Sequence, residues 1–117
     1  MNFDNIKHVY FLGIGGIGMS ALARYFNAMG KNVSGYDKTK TQLTDELMKE
    51  GMDVHFEDNI GLIKSEVRSQ KSDALVVLTP AIPKDHSELN FFQKNDCKYF
   101  LLLFLEVLNN TMVCLLF

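Results

Sequence analysis

A five-residue apolar run, His8-Val9-Tyr10-Phe11-Leu12, opens directly onto four glycines in six residues, Gly13-Ile14-Gly15-Gly16-Ile17-Gly18. From Gly16 onward the pattern is helical. A buried strand that empties into a glycine turn and re-emerges as a helix is the opening move of an open, parallel α/β sheet. The rest of the chain fits that frame. Ile17, Ala21, Leu22, Tyr25, Phe26 and Met29 recur at spacings of three and four and predict the inner face of the first helix, which Gly30 would stop. Val33 to Tyr36 reads as a second strand. Thr41 to Glu50 reads as a second helix with Leu43, Leu47 and Met48 inward and Gly51 as its stop, and Asp53 to Phe56 as a third strand. Asn59 is expected to cap a third helix with Ile60, Ile63 and Val67 inside. Ala74 to Leu78, apolar without alternation, reads as a strand covered on both faces. A helix from Ser87 through Leu89, Phe91 and Phe92 and a fifth strand at Cys97 to Phe100 complete the series. Right-handed crossovers then predict one doubly wound, Rossmann-like α/β domain over residues 1–100, with strand order 3-2-1-4-5. Ligands of such sheets bind beyond the carboxyl ends of the strands where the order reverses, here between the strands ending at Leu12 and Leu78.

Composition narrows the function classes. The 117 residues carry a net charge of −2 with scattered basic residues, which gives no footprint for nucleic acid. The two cysteines, Cys97 and Cys114, form no metal-binding spacing, and reduced thiols in a cytoplasm are the simple expectation. The start of the chain has no secretory pattern, and the apolar run Leu101 to Leu105 is far short of a membrane span. His55 and His86 fit no catalytic or metal spacing and read as surface or satisfied residues, and His8 as structural. Met19, Met29, Met48 and Met52 read as core. No catalytic residue and no metal ligand is expected.

The binding expectation centres on Gly13, Gly15 and Gly18, which form a GxGxxG pattern in the context that gives it meaning. Gly13 would permit the tight turn, Gly15 the approach of a diphosphate to the backbone, and Gly18 the packing of the helix on the sheet. The unpaired amides of the first helical turn attract anions. The competing reading is a tight turn that binds nothing. Asp37 lies 19 residues beyond Gly18 at the end of the second strand, where a carboxylate can accept from ribose hydroxyls; alternatively it is a turn residue. Thr79-Pro80-Ala81-Ile82-Pro83 sits across the crevice, either as a sugar or phosphate contact or as a plain proline turn.

The stretch from Gly13 to Ala23, the segment Val33-Ser34-Gly35-Tyr36-Asp37, the Thr79–Pro83 loop and His86-Ser87-Glu88-Leu89 together resemble the N-terminal signature of the UDP-N-acetylmuramate–L-alanine ligases of the Mur ligase family. The resemblance runs from about residue 6 to residue 100. It implies a UDP-binding domain, with Gly13, Gly15, Gly16, Ile17, Gly18 and Met19 at the diphosphate, and Asp37 with Thr79, Pro80, Ala81 and Ile82 bracketing the uridine and sugar. The family's Gly-His pair after the third strand is matched to Glu57 and Asp58, and Asp58 is carried as a nucleobase contact. The resemblance further implies a three-domain, ATP-dependent, cytoplasmic ligase of peptidoglycan synthesis, with ATP and Mg²⁺ held by a domain that lies outside this sequence. No Gly-x-x-Gly-Lys-Thr loop occurs here, so these residues alone are expected to be inactive in ligation and to need no cofactor. UDP-N-acetylmuramate is the expected partner, without nucleic acid or membrane. From Leu101 the family's basic stretch is replaced by an apolar tail, residues 101–117. It reads as a strand or helix on the sheet edge, as sequence altered by truncation or a frame change, or as a membrane-anchoring segment; if exposed, it would favour self-association. The rival function is an NAD-binding domain of an oxidoreductase or a nucleotide sensor, in which Asp37 selects NAD over NADP.

Overall fold

The computed structural model describes residues 3–69, 73–95, 99–104 and 112–116, the last two segments as strands without their side chains. Four parallel strands, β1 (His8–Leu12), β2 (Asn32–Tyr36), β3 (Asp53–His55) and β4 (Ala74–Leu78), are joined by β5 (Tyr99–Phe104) and an antiparallel edge strand, β6 (Met112–Leu116). The order is β3-β2-β1-β4-β5-β6, the expected 3-2-1-4-5 with one strand added. Register places Phe11 beside Gly35 on one side and Val77 on the other. β5 pairs Val76 with Tyr99 and Leu78 with Leu101, so it continues across residue 100 to Phe104. Cys97, expected in this strand, lies outside the described residues, as does much of the apolar tail. The described residues lend no support to self-association through it.

Both sheet faces are covered, which is why β1 from Val9 onward and β4 throughout are buried. Val9, Phe11, Leu75 and Val77 point into one cluster, with α1 (Ile17–Ala28) and α2 (Gln42–Lys49); Tyr10, Leu12, Val76 and Leu78 point into the other, with α3 (Ser65–Arg68) and α4 (Ser87–Lys94). The stops at Gly30 and Gly51 hold, with φ of 81° and 100°.

Four expectations need correction. The sheet-facing stripe of α1 is Met19, Leu22, Ala23 and Phe26, whereas Ile17 is 83% exposed, Ala21 is exposed, and Tyr25 and Met29 are more than two-fifths exposed. Two apolar stripes of helical spacing share this helix, and contact with β1 and β2 selects the one rotated away from Ile17. On α2 Met48 faces outward, and Thr44 is buried instead, completing a reciprocal cap with Thr41. Of the four methionines read as core, Met19 and Met52 are. The third helix is broken. Asn59 caps a single 3-10 turn, Ile60–Leu62; Ile63 is extended, and α3 follows. The interruption still lets Ile63 and Val67 reach the core.

Candidate functional site

The glycine loop is built by β2 as much as by its own residues. The amides of Gly13 and Ile14 both donate to the Tyr36 carbonyl, at 2.7 and 2.9 Å. Gly13 has φ +96°, so the chain leaves β1 through a conformation that other residues rarely adopt. A Cβ on Gly13 would stand 3.0 Å from the Thr79 methyl, so the loop after β4 closes over the loop after β1. The two meet at the reversal of strand order, where a cavity of about 590 Å³ opens. That volume falls within the range of small-molecule sites.

Of the residues expected at the site, Gly13, Gly16, Met19, Asp37, Asp58, Thr79, Ala81 and Ile82 line the cavity. Gly15, Ile17, Gly18 and Pro80 do not. Gly15 donates its amide to Asp37 Oδ2 at 2.7 Å, and a Cβ there would strike that same oxygen. Its missing side chain thus accommodates Asp37, whereas the expectation was room for a diphosphate. The other Asp37 oxygen accepts from the Thr39 amide at 3.0 Å, so the carboxylate spans the loop and the end of β2. Ile17, the first residue of α1, projects into solvent.

Gly16 caps α1 without a side chain, and the first turn holds no acidic residue. The amides of Ile17, Gly18 and Met19 are the orphan donors of that turn, and the helix dipole adds to their pull on an anion.

Pro83, from the loop expected across the crevice, lines the cavity too, and so do Tyr36, Lys38, Asp85 and His86, unanticipated from the sequence. His86 is 7% exposed, so of its two readings, surface or satisfied, the surface one falls. Its Nδ1 accepts from the Leu89 amide at 3.4 Å, capping α4, and lies 3.2 Å from Asp58 Oδ1. Asp58 accepts from the amides of Ser87 and Glu88 at 2.8 and 3.1 Å. Its carboxylate is therefore spent on α4, although one edge faces the cavity. Behind this wall Glu88, fully buried, accepts from the Tyr10 hydroxyl, from His55 Nε2 at 2.8 Å and from the Asn59 amide at 3.0 Å. Burial first, and then the Glu88 charge, push the Tyr10 phenol far up, so it remains a donor. The local signal for this wall was His86-Ser87-Glu88, where α4 starts at Ser87 as expected and His86 is its cap.

Burial pushes the Asp58 carboxyl up, but the Ser87 and Glu88 amides and the His86 charge outweigh it and hold it below its ordinary range. A lowered folded-state pKa contributes stability that is complete above the unfolded value and is lost as pH falls through the folded one. Melting temperatures measured against pH should therefore drop on the acid side, and Asp58→Asn should flatten that limb. An unchanged acid limb in the variant would remove Asp58 from the account.

A family model described as "Mur ligase family, catalytic domain" matches residues 8–108. The UDP-N-acetylmuramate–L-alanine ligase of Flavobacterium psychrophilum is 57% identical over 96 residues, which are 82% of this chain and 21% of that protein. The ligase of the same name from Porphyromonas gingivalis is 57% identical over 90 residues, 77% of this chain and 20% of that one. The crystal structure of a UDP-N-acetylmuramate–alanine ligase from Thermotoga maritima superposes with a TM-score of 0.67 at 28% identity, covering 79% of this chain and 20% of that one. The chain spans about one fifth of the length of the curated relatives it matches.

Proposed function

Because the chain belongs to the Mur ligase family, we propose that its α/β domain holds the uridine diphosphate end of UDP-N-acetylmuramate for a cytoplasmic ligase that adds L-alanine in peptidoglycan synthesis. The observation that carries this reading is the uncapped start of α1 at one wall of the cavity at the strand-order reversal. The orphan amides of Ile17 to Met19 suit a diphosphate, and the polar wall of Asp37, Asp58 and His86 suits a nucleoside. The ATP and Mg²⁺ that the family resemblance implies do not fit these residues. The Gly13–Gly18 loop lacks a lysine, and among the described residues no group of three His, Cys, Asp or Glu side chains could hold a metal. What these residues do is bind and orient; a group bound at its diphosphate leaves its distant carboxylate untouched. Among the described residues no helix is long and apolar enough to cross a membrane.

Calorimetric titration of the chain with UDP-N-acetylmuramate and with NAD⁺ tests the reading. Binding of the first and silence from the second supports it, and the reverse would establish the dinucleotide alternative. Gly16→Asp sharpens the test. Gly16 has φ −65° and ψ 154°, and an added Cβ meets nothing closer than 3.6 Å, so the site tolerates a side chain. An aspartate there would cap α1 with its own carboxylate, which favours the helix over the glycine cap by only about a few tenths of a kcal/mol. It would also occupy the orphan amides and repel a diphosphate. The expected result is an unchanged or raised melting temperature together with a loss of UDP-sugar affinity of about thirtyfold or more. Retained affinity would exclude the α1 start as the diphosphate site.

A further inference from the structure

We infer that the Nε2–H of His86 reads the base of the bound nucleotide, donating to a carbonyl oxygen of the uracil ring; the inference rests on the uridine diphosphate reading above. Its first support is placement. α1 packs on one face of the sheet, while Tyr36, Ile82 and α4 pack on the other. A diphosphate at the start of α1 sends the nucleoside across the sheet edge, toward the wall made by Tyr36, Asp58 and His86.

The second support is that the ring is held. Nδ1 faces the Leu89 amide and Asp58 Oδ1, and Tyr36 packs edge-on with ring centroids 4.6 Å apart. The third is an unmet hydrogen-bonding atom. Nε2 is shut from solvent and has no partner among the described residues, in a residue that is 93% buried by the 7% exposure of its surface. Buried polar atoms are nearly always partnered, so an orphan on the wall of a cavity points to a ligand atom as the missing partner.

The contacts of Nδ1 also set the polarity. When Nδ1 accepts from the Leu89 amide, the ring proton resides on Nε2. A proton on Nδ1 alone would set two N–H groups against each other at Leu89. Nε2 therefore offers a donor, and the uracil carbonyls are acceptors.

Calorimetric titration of the chain with UDP and with inorganic pyrophosphate separates the possibilities. His86→Asn keeps an acceptor near the Nδ1 position, and with it the α4 cap, but withdraws the group at Nε2. His86→Gln restores a donor near Nε2. The expected result is that His86→Asn melts as the parent does, binds UDP about tenfold more weakly, and binds pyrophosphate unchanged. His86→Gln should regain most of the loss. Equal UDP affinity in the parent and His86→Asn would overturn the assignment, as would a parallel loss of pyrophosphate binding, which would mark the effect as structural. A parent chain that binds no UDP would overturn the nucleotide reading itself, and this inference with it.

Discussion

Gly35→Ala is expected to lower stability by about 3 kcal/mol, a drop in melting temperature of roughly 15 °C for a domain of this size. Nothing in the conformation of Gly35 forbids alanine, because its φ lies outside the left-handed region. Space forbids it. A Cβ would stand 2.6 Å from the carbonyl oxygen of Phe11, its partner across the β1–β2 pairing, and 3.0 Å from Cβ and Cδ1 of Ile14. The carbonyl belongs to a central strand and cannot retreat without opening the pairing. Ile14 is completely buried and cannot rotate outward without exposing itself. Both obstacles lie in the segment that carries the glycine loop, so the folded fraction should bind a nucleotide more weakly as well. Gly16→Ala, with nearest contacts of 3.6 Å, provides the comparison and should be nearly neutral in stability. Thermal or urea unfolding followed by circular dichroism measures both; a Gly35→Ala loss below about 1 kcal/mol would show that β1 and β2 can separate cheaply.

Gly35 illustrates what could be read in advance. A glycine inside an otherwise apolar strand signals a close backbone approach, and the neighbouring strands, their order and the glycine turn all follow from patterns a few residues long. Those parts were legible because the physics that makes them is local. The inner face of α1 was legible only in part. Leu22 and Phe26 were placed correctly, but Ile17, Ala21, Tyr25 and Met29 fit helical spacing equally well, and only the sheet decides between the stripes. The site divides in the same way. Gly13, Asp37 and Thr79 belong to the ends of strands and could be named from spacing. The Gly15–Asp37 bond, 22 residues apart, changes the role of Gly15 from approach to accommodation. The bonds that build the wall of Asp58, His86 and Glu88 were out of reach, because they join positions 29 to 78 residues apart. His86 and Glu88 look like ordinary members of an amphipathic helix start until β1 and β3 bring Tyr10 and His55 beneath them.

That buried wall should yield the second large effect. Glu88→Ala is expected to cost about 3–5 kcal/mol, because it removes the acceptor shared by three donors at a fully buried position. The Tyr10 hydroxyl, His55 Nε2 and the Asn59 amide would all lose their carboxylate partner at once. Glu88→Gln preserves the shape and one acceptor oxygen but turns an NH₂ group toward donors, so it should fall between Glu88→Ala and the parent. The shared acceptor also makes the losses non-additive. Tyr10→Phe should cost about 1 kcal/mol in the parent, where the hydroxyl bonds Glu88, and less in Glu88→Ala, where the hydroxyl keeps its 3.2 Å contact with His55 Nε2. A double-mutant cycle by urea unfolding reads this coupling directly. Additive losses would mean that the Tyr10–Glu88 contact contributes nothing beyond the separate packing of its two side chains. The same cycle bears on the site. Asn59 follows Asp58, and Glu88 follows Ser87, whose amide Asp58 holds. Loosening Glu88 should therefore loosen the cavity wall, and nucleotide affinity should fall with the network even in molecules that remain folded.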